Sequence, residues 1–292
     1  MTYSEQPPER HGADDESQNR DYEPSLFALT TQNQDDDGGD PPPIPYTPQE
    51  IGEILKDLFE FLVSTFYVEA TIELPPPGGF TDLERDPEKS DFVHEVYRYM
   101  PRFEPKEHVK GGISFHYKSH LILSSDDILL PDYCEDQDMD VRDAFYIASG
   151  HESGGRWIIL HTRRGMIQEE MGRMDTVGVF DMKEWIEDYK EKYRSLKLIP
   201  YPGRETVECE HVPERGEGAE IITFEEIRAQ KDVDGHPWRS DLDIHYIRQV
   251  YRQYGWPDAF RKDDCWEFLS GKMELMEEED YHGHVWRWGG SL

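Results

Sequence analysis

The chain has 292 residues and a formal net charge of −32, from 63 acidic and 31 basic side chains. Such a charge repels nucleic-acid phosphates and anionic membrane surfaces, both of which attract Lys- and Arg-rich proteins. The N-terminus has no apolar run behind basic residues, and no stretch reaches the ~18 apolar residues that suggest a membrane helix. The sequence therefore predicts a protein of the cytoplasm or the nucleus that binds neither nucleic acid nor membrane.

The three cysteines are Cys134, Cys209 and Cys265, an odd number with wide spacing. This pattern argues against a disulfide framework and against a zinc site, which needs closely spaced ligands. We expect a reducing compartment, no bound metal and no cofactor.

The first 47 residues are dominated by Asp, Glu, Gln, Ser and Pro. Such a segment buries too little apolar surface to offset the entropy lost on ordering, so we predict a disordered acidic tail. Leu26–Leu29 forms a single apolar cluster within it. That cluster is either a short docking motif or an ordinary apolar patch.

The first predicted helix begins at Thr47-Pro48-Gln49-Glu50, a capping box with proline at the first helical position. Apolar residues then recur at helical spacing to about Phe66. Caps and apolar spacing predict further helices beginning at Ser90, Asp181, Thr223 and Asp241, and a last helix that contains Cys265 and Leu269.

Strands are predicted where β-branched and aromatic residues alternate or cluster. They lie within residues 68–74, 113–117, 145–148, 157–160 and 206–209, with a return strand from Met166. Residues 121–123 either continue the strand at 113–117 or begin a neighbouring one. Gly165 supplies the positive φ that a tight hairpin between the strand at 157–160 and the return strand requires.

This element order predicts an α+β fold, in which a mostly antiparallel sheet packs with helices and a helical extension follows at the C-terminus. The expected units are an acidic tail (1–47), an α+β domain (48–200), a linker with short elements (201–240), a helical hairpin extension (241–280) and a tail (281–292).

Two segments of the middle region resemble a known family. Glu152-Ser153-Gly154-Gly155-Arg156 leads into the apolar strand Trp157–Leu160, and the later segment Phe180–Ile186 opens a helix. Together these are similar to the SUKH superfamily, which includes fungal cell-wall-synthesis regulators and bacterial toxin-immunity proteins. The aspartate that follows the buried strand there is His161 here. The resemblance covers about residues 48–200 and implies a non-enzymatic α+β adaptor.

A protein-binding face is the functional site that the sequence favours. The segment Asp126–Asp143 is strongly acidic, but it lacks the central glycine and closing glutamate of a calcium loop. The turn Gly154-Gly155-Arg156 precedes a strand and has no Lys-Ser or Lys-Thr pair, which argues against a phosphate-binding loop and favours an ordinary tight turn. We predict that the partner-binding residues are Asp126, Asp127, Asp132, Asp136, Gly154, Gly155 and Arg156.

Catalytic and metal sites are the alternatives. A hydrolase could use His151, Glu152 or His161, because imidazole titrates near neutral pH. His116 and His120, predicted on one strand, could hold a metal with His94 or His108, and His282 with His284 forms a weaker candidate. No motif anchors either chemistry, and ordinary loop and exposed strand positions are the preferred explanation of these residues.

The sequence thus predicts a non-enzymatic protein–protein interaction or regulatory adaptor, with an immunity-type inhibitor of a basic toxin or nuclease as a further alternative. Its partner is expected to be a protein, and the net charge makes a basic protein the more specific hypothesis. The sequence does not predict an oligomeric state.

Overall fold

The structure is a computed structural model. It describes residues 43–65, 70–105, 113–116, 119–122, 140–150, 155–171, 175–200, 206–216, 218–234 and 241–279. The helices are α1 (Pro48–Thr65), α2 (Asp91–Tyr99), α3 (Met182–Arg194), α4 (Phe224–Asp234), α5 (Asp241–Gln253) and α6 (Lys262–Glu279). The strands are β1 (Ala70–Glu73), β2 (Arg102–Pro105), β3 (Ile113–His116), β4 (Ser119–Leu121), β5 (Ala144–Gly150), β6 (Arg156–His161), β7 (Met166–Met171), β8 (Asp175–Asp181), β9 (Leu198–Pro200) and β10 (Thr206–Glu208).

Reciprocal capping boxes open two of these helices, as predicted. The backbone N–H of Thr47 donates to Glu50 Oε2 at 2.7 Å, and the Glu50 N–H donates to Thr47 Oγ1 at 3.3 Å. Thr223 and Glu226 repeat this arrangement at the start of α4. The bonds from each threonine lower the pKa of its glutamate. Both helix starts are thereby fixed by hydrogen bonds between residues three positions apart.

The main sheet has six strands in the order β3-β4-β5-β6-β7-β8, and every neighbouring pair is antiparallel. The β6–β7 hairpin turns through Gly165 at φ +62°, as predicted. β8 leads directly into α3, where Asp181 accepts hydrogen bonds from the N–H groups of Lys183 (2.9 Å) and Glu184 (3.2 Å). The predicted α+β fold with a mostly antiparallel sheet is confirmed.

The two faces of this sheet differ. Residues of the central strands that point toward the helices join the main core cluster; they are Phe145, Ile147, Ile158, Leu160 and Ile167. The same cluster contains the buried faces of α1, α2 and α3. The opposite face holds a smaller apolar cluster of Ala144, Tyr146 and Ile159. Alternation along the strands therefore separates an extensive core on one face from a smaller cluster on the other.

The predicted C-terminal helices are present and pack onto this core. The main cluster includes Ile227 from α4, Val250 and Tyr251 from α5, and Cys265 and Leu269 from α6. Strands β9 and β10 form a separate antiparallel pair before these helices. The C-terminal helices thus share one apolar core with the antiparallel sheet.

Three strands were not predicted from the sequence: β2, β8 and β9. β2 pairs with β1, β8 forms the edge of the main sheet beside β7, and β9 pairs with β10. Each is defined by a partner strand and not by a strong local pattern, since β8 contains Gly178 and β9 has three residues.

Gly52 provides a test of the contact between α1 and α2. A Cβ at Gly52 would lie 2.3 Å from the Tyr99 carbonyl oxygen, so Gly52→Ala forces the two helices apart. We expect a loss of about 1–3 kcal/mol in the free energy of unfolding, measured by urea denaturation. Gly271→Ala in α6 is the matched control, because its Cβ meets nothing within 4 Å. It should be neutral or stabilise by up to ~1 kcal/mol, and equal effects of the two changes would contradict the close contact.

Candidate functional site

The predicted turn at Gly155–Arg156 is joined to strand β4. The Arg156 N–H donates to Ser119 Oγ at 3.1 Å, and Ser119 Oγ donates in return to the Arg156 carbonyl oxygen. A Cβ on Gly150 would lie 2.7 Å from the Gly155 carbonyl carbon, so the ends of β5 and β6 approach too closely for a larger residue. Gly154 lies outside the described residues.

The Arg156 side chain points into the molecule. It is 15% exposed, and its Nε lies 3.5 Å from Glu169 Oε1. Glu169 Oε2 in turn lies 3.5 Å from Trp185 Nε1 of α3. Arg156 therefore helps hold the sheet to α3, and both its guanidinium and its backbone polar groups are engaged within the protein.

The acidic segment is described only at its C-terminal end. Asp126, Asp127, Asp132 and Asp136 lie outside the described residues. Residues 140–143 form a single 3₁₀ turn, in which Asp140 accepts a hydrogen bond from the Arg142 N–H at 2.9 Å.

This end of the segment is fixed to the hairpin of the main sheet. Asp143 Oδ2 lies 2.8 Å from Arg163 Nε. Asp143 precedes β5, whereas the Gly155–Arg156 turn lies beside the last residue of that strand. Seven residues at 3.2–3.4 Å each separate the two positions by about 20 Å. The acidic segment thus ends at the opposite end of β5 from the turn.

A second acidic segment packs against residues 142–144. The Ser90 N–H donates to the Arg142 carbonyl oxygen at 2.9 Å, and the buried Lys89 Nζ donates to the Ala144 carbonyl oxygen at 2.5 Å. These bonds bring the segment that precedes α2 beside Asp140. We use the name acidic face for the carboxylates carried by these two contacting segments: Glu84, Asp86, Glu88, Asp91 and Asp140.

Most of the acidic face is open to solvent. Glu84, Glu88 and Asp140 are exposed, and the Asp91 side chain is 85% exposed. A cavity of about 510 Å³ lies beside it, between α2 and residues 80–85, and Asp91 and Glu95 line it. Arg85 contacts Asp91 across the cavity, and Arg98 Nη1 lies 2.9 Å from Glu95 of the same helix. The surface offers carboxylates that a cationic group can reach.

His161, named in the hydrolase hypothesis, lies in a buried row of polar side chains on the sheet face opposite the helices. Its Nε2 is 3.0 Å from Gln168 Oε1, and Gln168 Nε2 donates to Glu170 Oε1 at 2.6 Å. Desolvation by burial lowers the pKa of His161 to about 4 and raises the pKa of Glu170. His161 is 3% exposed, so it is shielded from solvent, and the other two residues of that hypothesis, His151 and Glu152, lie outside the described residues.

The histidines considered as metal ligands do not share one strand, which corrects the prediction. His116 ends β3 and His120 lies in β4, with Ser114 opposite His120 in the antiparallel register. The intervening residues 117–118 connect the two strands. His94 on α2 directs Nε2 to the Asp86 carbonyl oxygen at 2.8 Å. His108, His282 and His284 lie outside the described residues, within which no group of three or more His, Cys, Asp or Glu side chains could hold a metal ion.

Sequence reasoning missed a second cavity, of about 420 Å³, between α5 and residues 214–220. Three arginines line it: Arg215, Arg248 and Arg252. Arg248 follows Ile244 by four residues and therefore lies on the predicted apolar side of α5. This position among apolar residues is the sequence feature from which burial of the Arg248 guanidinium could have been predicted.

Comparison of the chain with models of known protein families, with curated proteins and with solved structures gives no match in any of the three. Within the described residues, no helix is long and apolar enough to cross a membrane.

Proposed function

We propose that this protein is a non-enzymatic protein–protein interaction or regulatory adaptor, and that its partner is a basic protein. The observation that carries this proposal is the acidic face in a chain of net charge −32. Complementary charge accelerates encounter and selects against partners of the same sign. The resemblance of residues 48–200 to the SUKH superfamily stays a prediction and points to the same class of function.

The acidic face gives this interaction a location. It joins the segment before α2 to Asp140, and the chain continues from Asp140 back to the predicted binding residues Asp126, Asp127, Asp132 and Asp136. Carboxylates from two separate stretches of the sequence therefore contribute to one surface. The Gly155–Arg156 turn lies at the other end of β5 and would form a second contact region.

A charge-matched pair of variants tests this location. The first carries Glu84→Gln, Glu88→Gln, Asp132→Asn and Asp136→Asn on the acidic face and its continuation. The control carries Glu53→Gln, Glu191→Gln, Asp258→Asn and Glu267→Gln, four exposed positions elsewhere. Each variant loses four carboxylates, so long-range attraction falls equally in both.

Binding of a fluorescent decalysine peptide is the first measurement. We expect roughly tenfold weaker binding to the acidic-face variant than to the control, because several short-range pairs are lost together. Affinity of the unchanged protein should fall steeply between about 50 and 300 mM salt, over which the Debye length shortens. Equal losses in the two variants would contradict a localised face.

Capture from a cell lysate then identifies the natural class of partner. Proteins retained by the unchanged chain and by the control, but lost from the acidic-face variant, are the expected binders. A captured basic nuclease whose activity the chain abolishes would favour the immunity-type inhibitor over the adaptor. A small molecule that the purified chain converts, with loss of turnover in His151→Ala, would overturn both.

A further inference from the structure

The cavity beneath residues 214–220 concentrates positive charge in a strongly acidic protein. Arg215, Arg248 and Arg252 line it together with Glu214 and Glu220, and the loop also contains Glu217, which lies outside the described residues. Its volume of about 420 Å³ lies within the range of small-molecule sites. Three guanidinium groups around one cavity form an environment suited to anionic oxygen atoms.

Arg248 is a buried cation whose charge is incompletely balanced. Its side chain is 1% exposed, and its N–H groups donate to backbone carbonyl oxygens, which carry no net charge. Among the described residues, the carboxylate within 4 Å of it is that of Glu214, at 3.8 Å from Nε. A buried charge favours a closer counterion, so its field makes the adjoining cavity attractive to an anion.

Glu214 shows that the cavity accepts a carboxylate oxygen. Its Oε1 lies 2.8 Å from Arg252 Nη2 and 3.8 Å from Arg248 Nε, between the two guanidinium groups. The Glu214 side chain is 45% exposed and that of Arg252 is 48% exposed. An exposed ion pair of this kind contributes little to stability, so an incoming anion of higher charge can replace it.

His245 lies in the same positive environment. It lines the same cavity, and its pKa is lowered by desolvation and then by the charges of Arg248 and Arg215. Asp241 and Glu214 act in the opposite direction and do not outweigh these effects. The local field at this histidine is therefore cationic, although the chain as a whole is anionic.

We propose that this cavity binds a small multivalent oxyanion, either a phosphate group or a polycarboxylate, through Arg252 and Arg215. Arg248 contributes its positive field only, because its own N–H groups all donate to Leu196, Val212, Pro213 and Cys209. Arg252 and Arg215 are exposed and supply N–H donors to the cavity. Arg215 Nη1 donates one hydrogen bond to the Glu220 carbonyl oxygen at 2.8 Å. Gly218, at φ +80°, also lines the cavity. The site is separate from the acidic face and does not depend on the adaptor function.

Proton NMR of the histidine side chains tests this site with the full chain. Pyrophosphate and citrate are the two probes, titrated at physiological ionic strength, which shortens the range of repulsion from the acidic surface. The His245 signal is assigned by its loss in His245→Gln. A bound anion stabilises the charged imidazole, so we expect the pKa of His245 to rise on addition of the probe.

Arginine variants separate a built site from nonspecific attraction. Arg252→Gln and Arg215→Gln should each weaken probe binding by about tenfold, because each removes a charge-assisted contact. Arg85→Gln is the matched control, since Arg85 lines the other cavity and also contacts one carboxylate. Stronger binding of pyrophosphate than of citrate identifies a phosphate site, and the reverse order identifies a polycarboxylate site. Unchanged His245 with both probes, or equal weakening in Arg85→Gln, would overturn the proposal.

Discussion

Replacing Arg248 with methionine is expected to destabilise the protein by at least about 3 kcal/mol, the largest effect of any single change considered. Its guanidinium donates to the carbonyl oxygens of Leu196 (3.0 Å), Val212 (2.9 Å) and Cys209 (2.9 Å). Methionine has a similar length and no donor, so these acceptors would be buried without partners. Each such loss costs about 1–3 kcal/mol.

The position of Arg248 explains why the effect extends beyond one side chain. It lies on α5 and donates to Leu196, which precedes β9, and to Cys209 and Val212, which follow β10. Cys209 packs in the same place, where burial raises the pKa of its thiol to about 11. Without the guanidinium, the segment from Leu196 to Val212 loses its main polar connection to the C-terminal helices.

Arg252→Met is the matched control for this prediction. Arg252 is four residues further along α5, on the same side, but its side chain is 48% exposed. Its loss should cost less than about 1 kcal/mol, as for other exposed ion pairs. Urea denaturation of both variants gives the comparison, and a difference below about 1 kcal/mol between them would show that Arg248 is not the structural centre of this segment.

Local signals explain why much of the fold could be predicted. The capping boxes at Thr47 and Thr223 act over three residues, so the sequence contains all that is needed to recognise them. The same holds for Gly165, whose positive φ allows the hairpin. Helix starts, one tight turn and the antiparallel arrangement followed from such short-range patterns.

Long-range pairings explain what could not be predicted. β2 is a strand because it pairs with β1, with Phe103 opposite Ile72 in the register, and β8 is a strand because it pairs with β7. His116 and His120 looked co-facial on one strand, but residues 117–118 connect two strands instead. Strand identity in these places depends on the partner and not on the local sequence.

The candidate sites were only partly foreseeable for the same reason. Arg156 was recognised in its turn, but its contact with Glu169 depends on the β6–β7 register. The acidic face depends on the bond from Ser90 to Arg142, which joins residues far apart in the chain. The arginine cavity depends on a loop that returns across α5. Composition predicted an acidic surface but neither of these assemblies.

The second large effect is a change of stability with pH at His161. The imidazole is 3% exposed, and burial lowers its pKa to about 4 in the folded protein. In the unfolded chain an ordinary histidine has a pKa of about 6.5. As the pH falls from 6.5 toward 4, the unfolded chain therefore binds a proton that the folded protein does not, and the free energy of unfolding decreases.

Replacing His161 with glutamine isolates this effect. Near pH 7.5 the imidazole is neutral in both states, and the variant is expected to be less stable because it loses buried contacts with Gln168. At pH 5 the unchanged protein has lost about 2 kcal/mol through protonation of the unfolded chain, whereas the variant has not. The free energy of unfolding of the unchanged protein minus that of the variant should therefore fall by about 2 kcal/mol between pH 7.5 and pH 5.

Glu170 also titrates with an altered pKa, so the effect of His161 is measured as the difference between the unchanged protein and His161→Gln. Burial raises the pKa of its carboxyl group, so Glu170 favours the folded state at low pH and that contribution is lost as the pH rises. The slope from Glu170 is opposite to that from His161, and it is present in both proteins. Subtracting the two urea-denaturation curves at each pH removes it to first order.

His211→Gln is the control for the pH dependence. His211 is exposed in the turn after β10, so its replacement should change stability little. A His161→Gln difference that is constant between pH 5 and pH 7.5 would mean that the imidazole gains its proton as readily in the folded state as in the unfolded chain. His161 would then be accessible to solvent, as the hydrolase hypothesis requires of an imidazole that acts as an acid or base.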